Sequence, residues 1–213
     1  LDCPSVGQID LNTNCRHRII PILRALQHLH SQTEVLGTIL ALIEHDVLGD
    51  AEPDQGREGM TYWQILMLAA AKAGCNFTYD ELHDLAENHR KLRAMMQVGE
   101  WDEESFNWRR IRDNLCRLRP ETIEEINHLI VGEGHRLEPE AAAADRGDSG
   151  IESAIGALQS GNGLTRCRDH SSLGYNRYVG LGVLGRNLSA MGKRLLQREA
   201  PESEAAASKR QAA

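Results

Sequence analysis

Apolar side chains recur at intervals of three and four along most of this chain, and that period commits it to helices. Ile19, Ile22, Leu23, Leu26 and Leu29 form a first stripe, and Val35, Ile39, Leu42 and Ile43 a second. Residues 61–73 (TYWQILMLAAAKA) predict a strongly apolar helix with Gly74 as its C-cap. Leu82 and Leu85 mark the next helix, and Trp108, Ile111, Leu115 and Leu118 another that Pro120 stops. Ile123, Ile126 and Ile130 follow on one face. A last helix is expected from about Asn176 to Gln197, with Tyr178, Leu181, Leu184, Leu188, Met191 and Leu195 as its stripe. Three capping-box patterns punctuate the series: Ser31-x-x-Glu34, Thr78-x-x-Glu81 and Thr122-x-x-Glu125. Aromatic residues make up only 4% of the chain, which disfavours a large aromatic-rich β core. The expected fold class is mainly α.

The breaks in the pattern are equally plain. Residues 1–15 read as irregular and 49–59 (GDAEPDQGREG) as an acidic loop. Residues 132–150 (GEGHRLEPEAAAADRGDSG) read as a linker or a short strand without partners. Residues 151–159 read as helical and 160–174 as a loop, and the Ala-, Glu- and Ser-rich end after Pro201 as disordered. The chain opens on Leu1 rather than Met, so the expectation is that a fragment boundary falls there.

Net charge is −7 over 213 residues, but residues 150–213 carry nine basic and five acidic side chains. That last segment is either a phosphate-facing surface or an ordinary solvated helix. Five scattered cysteines without a CxxC pair fit reduced thiols better than a disulfide frame or a zinc site. With no 18-residue apolar run and no signal peptide, a cytoplasmic protein without a membrane partner is expected.

Several short motifs carry little. Gly180, Gly182 and Gly185 match GxGxxG, but a dinucleotide site needs a strand before the glycines. Here they sit inside a helical pattern, where they serve close helix packing. Arg146-Gly147-Asp148 and the sequons at Asn76 and Asn187 have no secretory context. His28 and His30, and His83 and His89, lack the i,i+4 spacing of a helical metal pair, so they read as surface or capping histidines.

A basic cluster is more informative. Arg90, Lys91, Arg93, Arg109, Arg110, Arg112, Arg117 and Arg119 lie beside Trp101 and Trp108. A helix over 80–93, a short turn after the helix over 61–73, makes a helix-turn-helix-like layout. Such a second helix can enter a DNA groove while arginines hold phosphates. Glu100, Asp102, Glu103, Glu104 and Asp113 dilute the cluster, and a bundle laced with i,i+4 ion pairs accounts for the same residues.

Two blocks add a resemblance. Residues 65–93 (ILMLAAAKAGCNFTYDELHDLAENHRKLR) resemble the N-terminal helical region of bacterial insertion-sequence transposases of the DDE type, in the group labelled ISNCY. Residues 2–10 (DCPSVGQID) and 15–21 (CRHRIIP) are similar to the same group. Residues 151–158 (IESAIGAL), 163–169 (GLTRCRD) and 174–188 (GYNRYVGLGVLGRNL) resemble its C-terminal end. Nearly all of 1–198 is covered, and the C-terminal block is the more specific.

The resemblance implies an RNase H-like core in which two aspartates and a glutamate hold two Mg²⁺ ions for phosphodiester cleavage and strand transfer. By position, Asp148 matches the first aspartate and Glu152 the glutamate. Only three residues separate them, and neither Asp145 nor Asp169 has the context of the second aspartate. An internal deletion that joined the two ends of a transposase gene accounts for this short spacing between Asp148 and Glu152.

The expected organisation is a helical, helix-turn-helix-like domain (1–135) and a linker with a remnant of the first core strand (136–150). A helical remnant of the core (151–198) and a tail (199–213) follow. The expected function is that of an insertion-sequence transposase whose copy has lost catalysis. Its expected DNA contacts are Arg90, Lys91, Arg93, Arg109, Arg110 and Arg112, and its expected partners are the element's DNA ends, with self-association or intact transposase beside them. The alternative is a non-enzymatic helical DNA-binding protein that represses transposition or transcription. A gene remnant that folds poorly, with the apolar side of its last helix exposed, is a third expectation.

Overall fold

The computed structural model describes residues 4–11, 17–49, 59–99, 106–137, 158–159, 167, 169 and 171–211, with side chains as far as Glu199. The described residues form α-helices and one 3-10 turn at Val6–Gln8, with no strand among them. The helices are α1 (Ile19–Ser31), α2 (Thr33–Leu48), α3 (Tyr62–Cys75), α4 (Tyr79–Asn88), α5 (Arg90–Met95), α6 (Trp108–Arg117), α7 (Pro120–Leu137) and α8 (Ser171–Gln211). None is long and apolar enough to cross a membrane.

Helix α3 is the axis of the fold, because its sequence is apolar on every face. Nine consecutive residues from Trp63 to Ala71 are buried. Its one buried polar side chain, Gln64, completes a capping box with Thr61 and donates to the Met96 carbonyl at 3.4 Å. Trp63 Nε1 donates to the Met95 carbonyl at 2.7 Å, so α3 also fixes the end of α5. Helices α1, α2, α4, α6 and α8 pack around α3. The irregular N-terminal residues belong to the same core. Val6, Ile9 and Leu11 are buried, and Gln27 donates to the carbonyls of Val6 and Ile9 at 2.8 and 2.9 Å.

Helix α8 closes the core. Its stripe of Tyr178, Leu181, Leu184, Leu188, Met191 and Leu195 is buried against α1, α3 and α7. This corrects the expectation of an exposed apolar side on the last helix: one hydrophobic cluster joins it to the residues before 137. The close approach depends on glycine. A Cβ on Gly185 would stand 2.6 Å from the Gly74 Cα, and one on Gly192 would stand 2.5 Å from the Pro21 carbonyl carbon. Helices α7 and α8 run parallel. Asn127 Nδ2 donates to the Gly180 carbonyl and Asn187 Nδ2 to Asn127 Oδ1, both at 3.2 Å, and Arg198 Nη1 donates to the Leu137 carbonyl at 3.1 Å.

Several helix bounds differ from the sequence reading. Gly74 is not a cap. Helix α3 continues to Cys75 and Asn76 takes the left-handed position (φ 56°), while Gly74 serves the contact with α8. The Thr78-x-x-Glu81 box forms as expected, with Thr78 accepting from the Glu81 N–H and Glu81 accepting from the Thr78 N–H. The other two patterns do not cap. Ser31 Oγ donates to the His28 carbonyl, and α2 starts after Gln32 without a side-chain cap. Thr122 is buried inside α7, because Pro120 opens that helix with its φ already set. Asp46 of α2 caps α7 from outside, accepting from the Arg119 N–H at 2.7 Å. Helix α7 also runs on to Leu137, through the first residues read as linker, and α8 runs from Ser171 to Gln211, beyond both ends expected for it.

Candidate nucleic-acid interface

The helix expected over 80–93 is two helices. The chain breaks at His89, whose ring Nδ1 caps α5 by accepting from the Leu92 N–H at 3.1 Å. The capping histidine expected from the sequence is therefore present. It also explains the break, since a residue whose ring accepts from its own third neighbour holds extended backbone (φ −85°, ψ 98°). Burial, and then the charge of nearby His17, pull the His89 pKa below its ordinary value.

The break matters for recognition. The solvent face of α4 carries Asp80, Glu81, Asp84 and Asn88, with Glu87 half-buried and no cation. An acidic second helix is repelled by a phosphate backbone, so α4 is poorly suited to a DNA groove. Arg90, Lys91 and Arg93 lie one helix later, on α5, which packs on α1 and α4. Arg93 is partly used by the fold, donating to the Ala86 carbonyl in the last turn of α4 at 3.3 Å.

Helix α6 holds the other three. It is sharply amphipathic, with Ile111 and Leu115 buried and Arg109, Arg112 and Arg117 exposed. The guanidinium carbons of Arg109 and Arg112 stand 5.2 and 5.3 Å from the Trp108 ring, which sets two cations on the first turn of the helix. Arg112 also pairs with Asp113 at 2.8 Å, an exposed contact that holds its pKa above the ordinary value. Arg117 Nη1 donates to the Val47 carbonyl at 3.0 Å. Asn107 caps the helix through the Arg109 N–H at 2.9 Å.

Two residues outside the basic cluster position α6. His83 Nδ1 donates to the Phe106 carbonyl, and Glu87 Oε1 accepts from the Phe106 N–H, both at 2.5 Å. They grip a fully buried Phe106 from α4 and set where α6 begins. In the sequence their only signal is the i,i+4 spacing, which says nothing of a partner 19 or 23 residues away.

The six expected contacts thus divide between two helices, Arg90, Lys91 and Arg93 on α5 and Arg109, Arg110 and Arg112 on α6. Asp148 and Glu152 lie outside the described residues, as does Trp101. Among the described residues no group of three or more His, Cys, Asp or Glu side chains is arranged to hold a metal. Asp169, the last residue of the 163–169 stretch, lies 3.8 Å from Arg177 Nε, and Arg177 donates to the Cys116 carbonyl at 2.6 Å. The described carboxylates do not assemble the Mg²⁺ set that the resemblance implies. Burial pushes the Cys75 thiol up to about 12, so it stays protonated at neutral pH.

Comparison of the chain with protein-family models, with curated proteins and with solved structures finds no match.

Proposed function

We propose that this chain is a helical DNA-binding module related to insertion-sequence transposases, which holds duplex DNA through α6 and does not cut it. The observation that carries the reading is the first turn of α6, where Trp108 organises Arg109 and Arg112 on an exposed face that continues to Arg117. Guanidiniums suit phosphate because their planar forks match its oxygens, and an aromatic plane fixes their direction. The net charge of −7 works against general attraction to DNA, so affinity rests on this local face.

The transposase relation rests on the sequence blocks at 65–93 and 151–188. The loss of cleavage rests on the three residues between Asp148 and Glu152, which leave no room for the sheet that holds the second aspartate. A protein that binds element ends without cutting them competes with the intact enzyme, so repression of transposition follows from the same chemistry.

A gel-shift titration against duplex from the element ends, with scrambled duplex as control, tests the reading. Sequence-specific retention at physiological salt is expected. Nicking in Mg²⁺ or Mn²⁺ that Asp148→Ala or Glu152→Ala abolishes would overturn the non-cutting part.

A further inference from the structure

Helices α4 and α6 pack side by side and run antiparallel. Tyr79, which opens α4, places its hydroxyl 3.9 Å from Cys116 Sγ in the last turn of α6. His83 and Glu87, further along α4, hold Phe106 just before α6 begins.

The edges of the two helices that border each other carry opposite charge. At about 100° per residue, Asp80 and Asp84 stand about 60° and 100° round α4 from His83, on the side away from buried Leu82 and Ala86. Both are exposed, and they form an acidic strip along the edge nearest α6. On α6, Trp108, Arg112 and Arg109 follow in turn at about 60°, 100° and 160° from buried Ile111. Cys116 on that side reaches Tyr79, and Arg112 feels the charge of both, so this edge is the one nearest α4. Arg109 and Arg112 are exposed and Trp108 is half-buried. Among the described residues no ion pair joins the two strips, and Arg112 holds Asp113 on its own helix.

An acidic strip beside a basic one is complementary to itself. A two-fold axis running between α4 and α6, along their length, sets the acids of each copy on the arginines of the other. Duplex DNA, anionic throughout, matches only the basic half of the face. Trp108 falls within such a contact, and Trp and Arg are the side chains that most often carry interface affinity.

We propose that two copies of this chain associate about that axis, with Asp80 and Asp84 of each against Arg109 and Arg112 of the other, so that the dimer covers the α6 face offered to DNA. The contact between copies stands on the charge pattern alone, and the covering of a DNA site rests on the function proposed above. Exposed ion pairs are individually weak and screened by salt, so the dimer is reversible and dissociates as ionic strength rises.

Sedimentation velocity of the full chain without DNA tests the contact. The natural chain should exchange between monomer and dimer, and association should weaken by about tenfold or more between about 0.05 and 0.5 M salt. Asp80→Lys/Asp84→Lys makes the face basic on both sides, and Arg109→Glu/Arg112→Glu makes it acidic. Each variant alone should be monomeric, and an equal mixture of the two should dimerise. A natural chain that is monomeric at every concentration in low salt would overturn the proposal. So would a dimer unmoved by salt or by the variants, or variants that stay monomeric when mixed. Species that grow beyond a dimer with concentration would overturn the two-fold in favour of an open head-to-tail chain. Where circular dichroism shows that a variant has lost its helices, the salt dependence of the natural chain decides instead. Duplex from the element ends should return the dimer to monomer. A dimer that binds duplex intact would overturn the covering of the DNA face, whereas a dimer that ignores duplex would overturn the DNA reading and leave the contact standing.

Discussion

Gly185 of α8 meets Gly74 of α3 backbone to backbone, with the Gly74 Cα 2.6 Å from where a Gly185 Cβ would sit. No side chain is available there to yield, so any larger residue must push the two helices apart.

Gly185→Ala should therefore destabilise by about 1–2 kcal/mol net, the cost of overpacking outweighing the about 1 kcal/mol by which alanine favours helix over glycine. Gly37 in α2 is the control. Nothing lies within 4 Å of its added Cβ, so Gly37→Ala should stabilise by about 0.5–1 kcal/mol. Thermal melts followed by circular dichroism read both signs, and equal effects at the two glycines would contradict the packing described for α8.

Asp46 should behave as a cap supplied by a different helix. Its side chain is inaccessible to solvent and accepts from the Arg119 N–H at 2.7 Å and from Arg119 Nε at 2.5 Å. Asp46→Ala is expected to cost about 1–2 kcal/mol in urea unfolding, the range of a lost N-cap. Asp46→Asn keeps a neutral acceptor and should cost clearly less. A neutral Asp46→Ala result would mean that α7 does not depend on α2 for its start.

Stability should fall in mild acid through His89. Its folded pKa is lowered from the ordinary 6.5, by burial first and His17 second. The unfolded chain then binds the proton more readily, so stability is complete above 6.5 and is lost as pH falls below 6.5 towards the folded value. The protonated ring can no longer accept from the Leu92 N–H. Asn is a good cap without a titrating group, so His89→Asn should lose less stability between pH 7.5 and 5.5 than the natural chain in paired urea titrations. Identical losses would mean that His89 does not carry the acid sensitivity.

Much of the fold was legible because apolar period and burial are the same physics. Ile19, Ile22, Leu23, Leu26 and Leu29 are all fully buried, as the stripe required. What the period could not state is what covers each stripe. It predicted the α8 stripe correctly but left it without a partner, since pairing with α1 and α3 spans more than a hundred residues. Capping motifs were ambiguous for a local reason. Thr78-x-x-Glu81 and Thr122-x-x-Glu125 have the same spelling, and Pro120 two residues ahead decides that the second lies inside its helix. At the candidate interface the composition pointed to arginines near Trp108. It did not reveal that the His89 cap splits the expected recognition helix, leaving an acidic α4 and a separate basic α6.

A DNA-contacting role for α6 requires that its exposed face hold phosphate. Fluorescence anisotropy of a labelled duplex across a salt series would compare the natural chain with Arg109→Ala/Arg112→Ala. Each phosphate neutralised contributes about 0.9 to the slope of log affinity against log salt, so losing two arginines should flatten that slope by about 2 and weaken binding at every sequence tested. Absence of binding by the natural chain at low salt, or an unchanged slope in the double variant, would contradict a DNA-contacting role for α6.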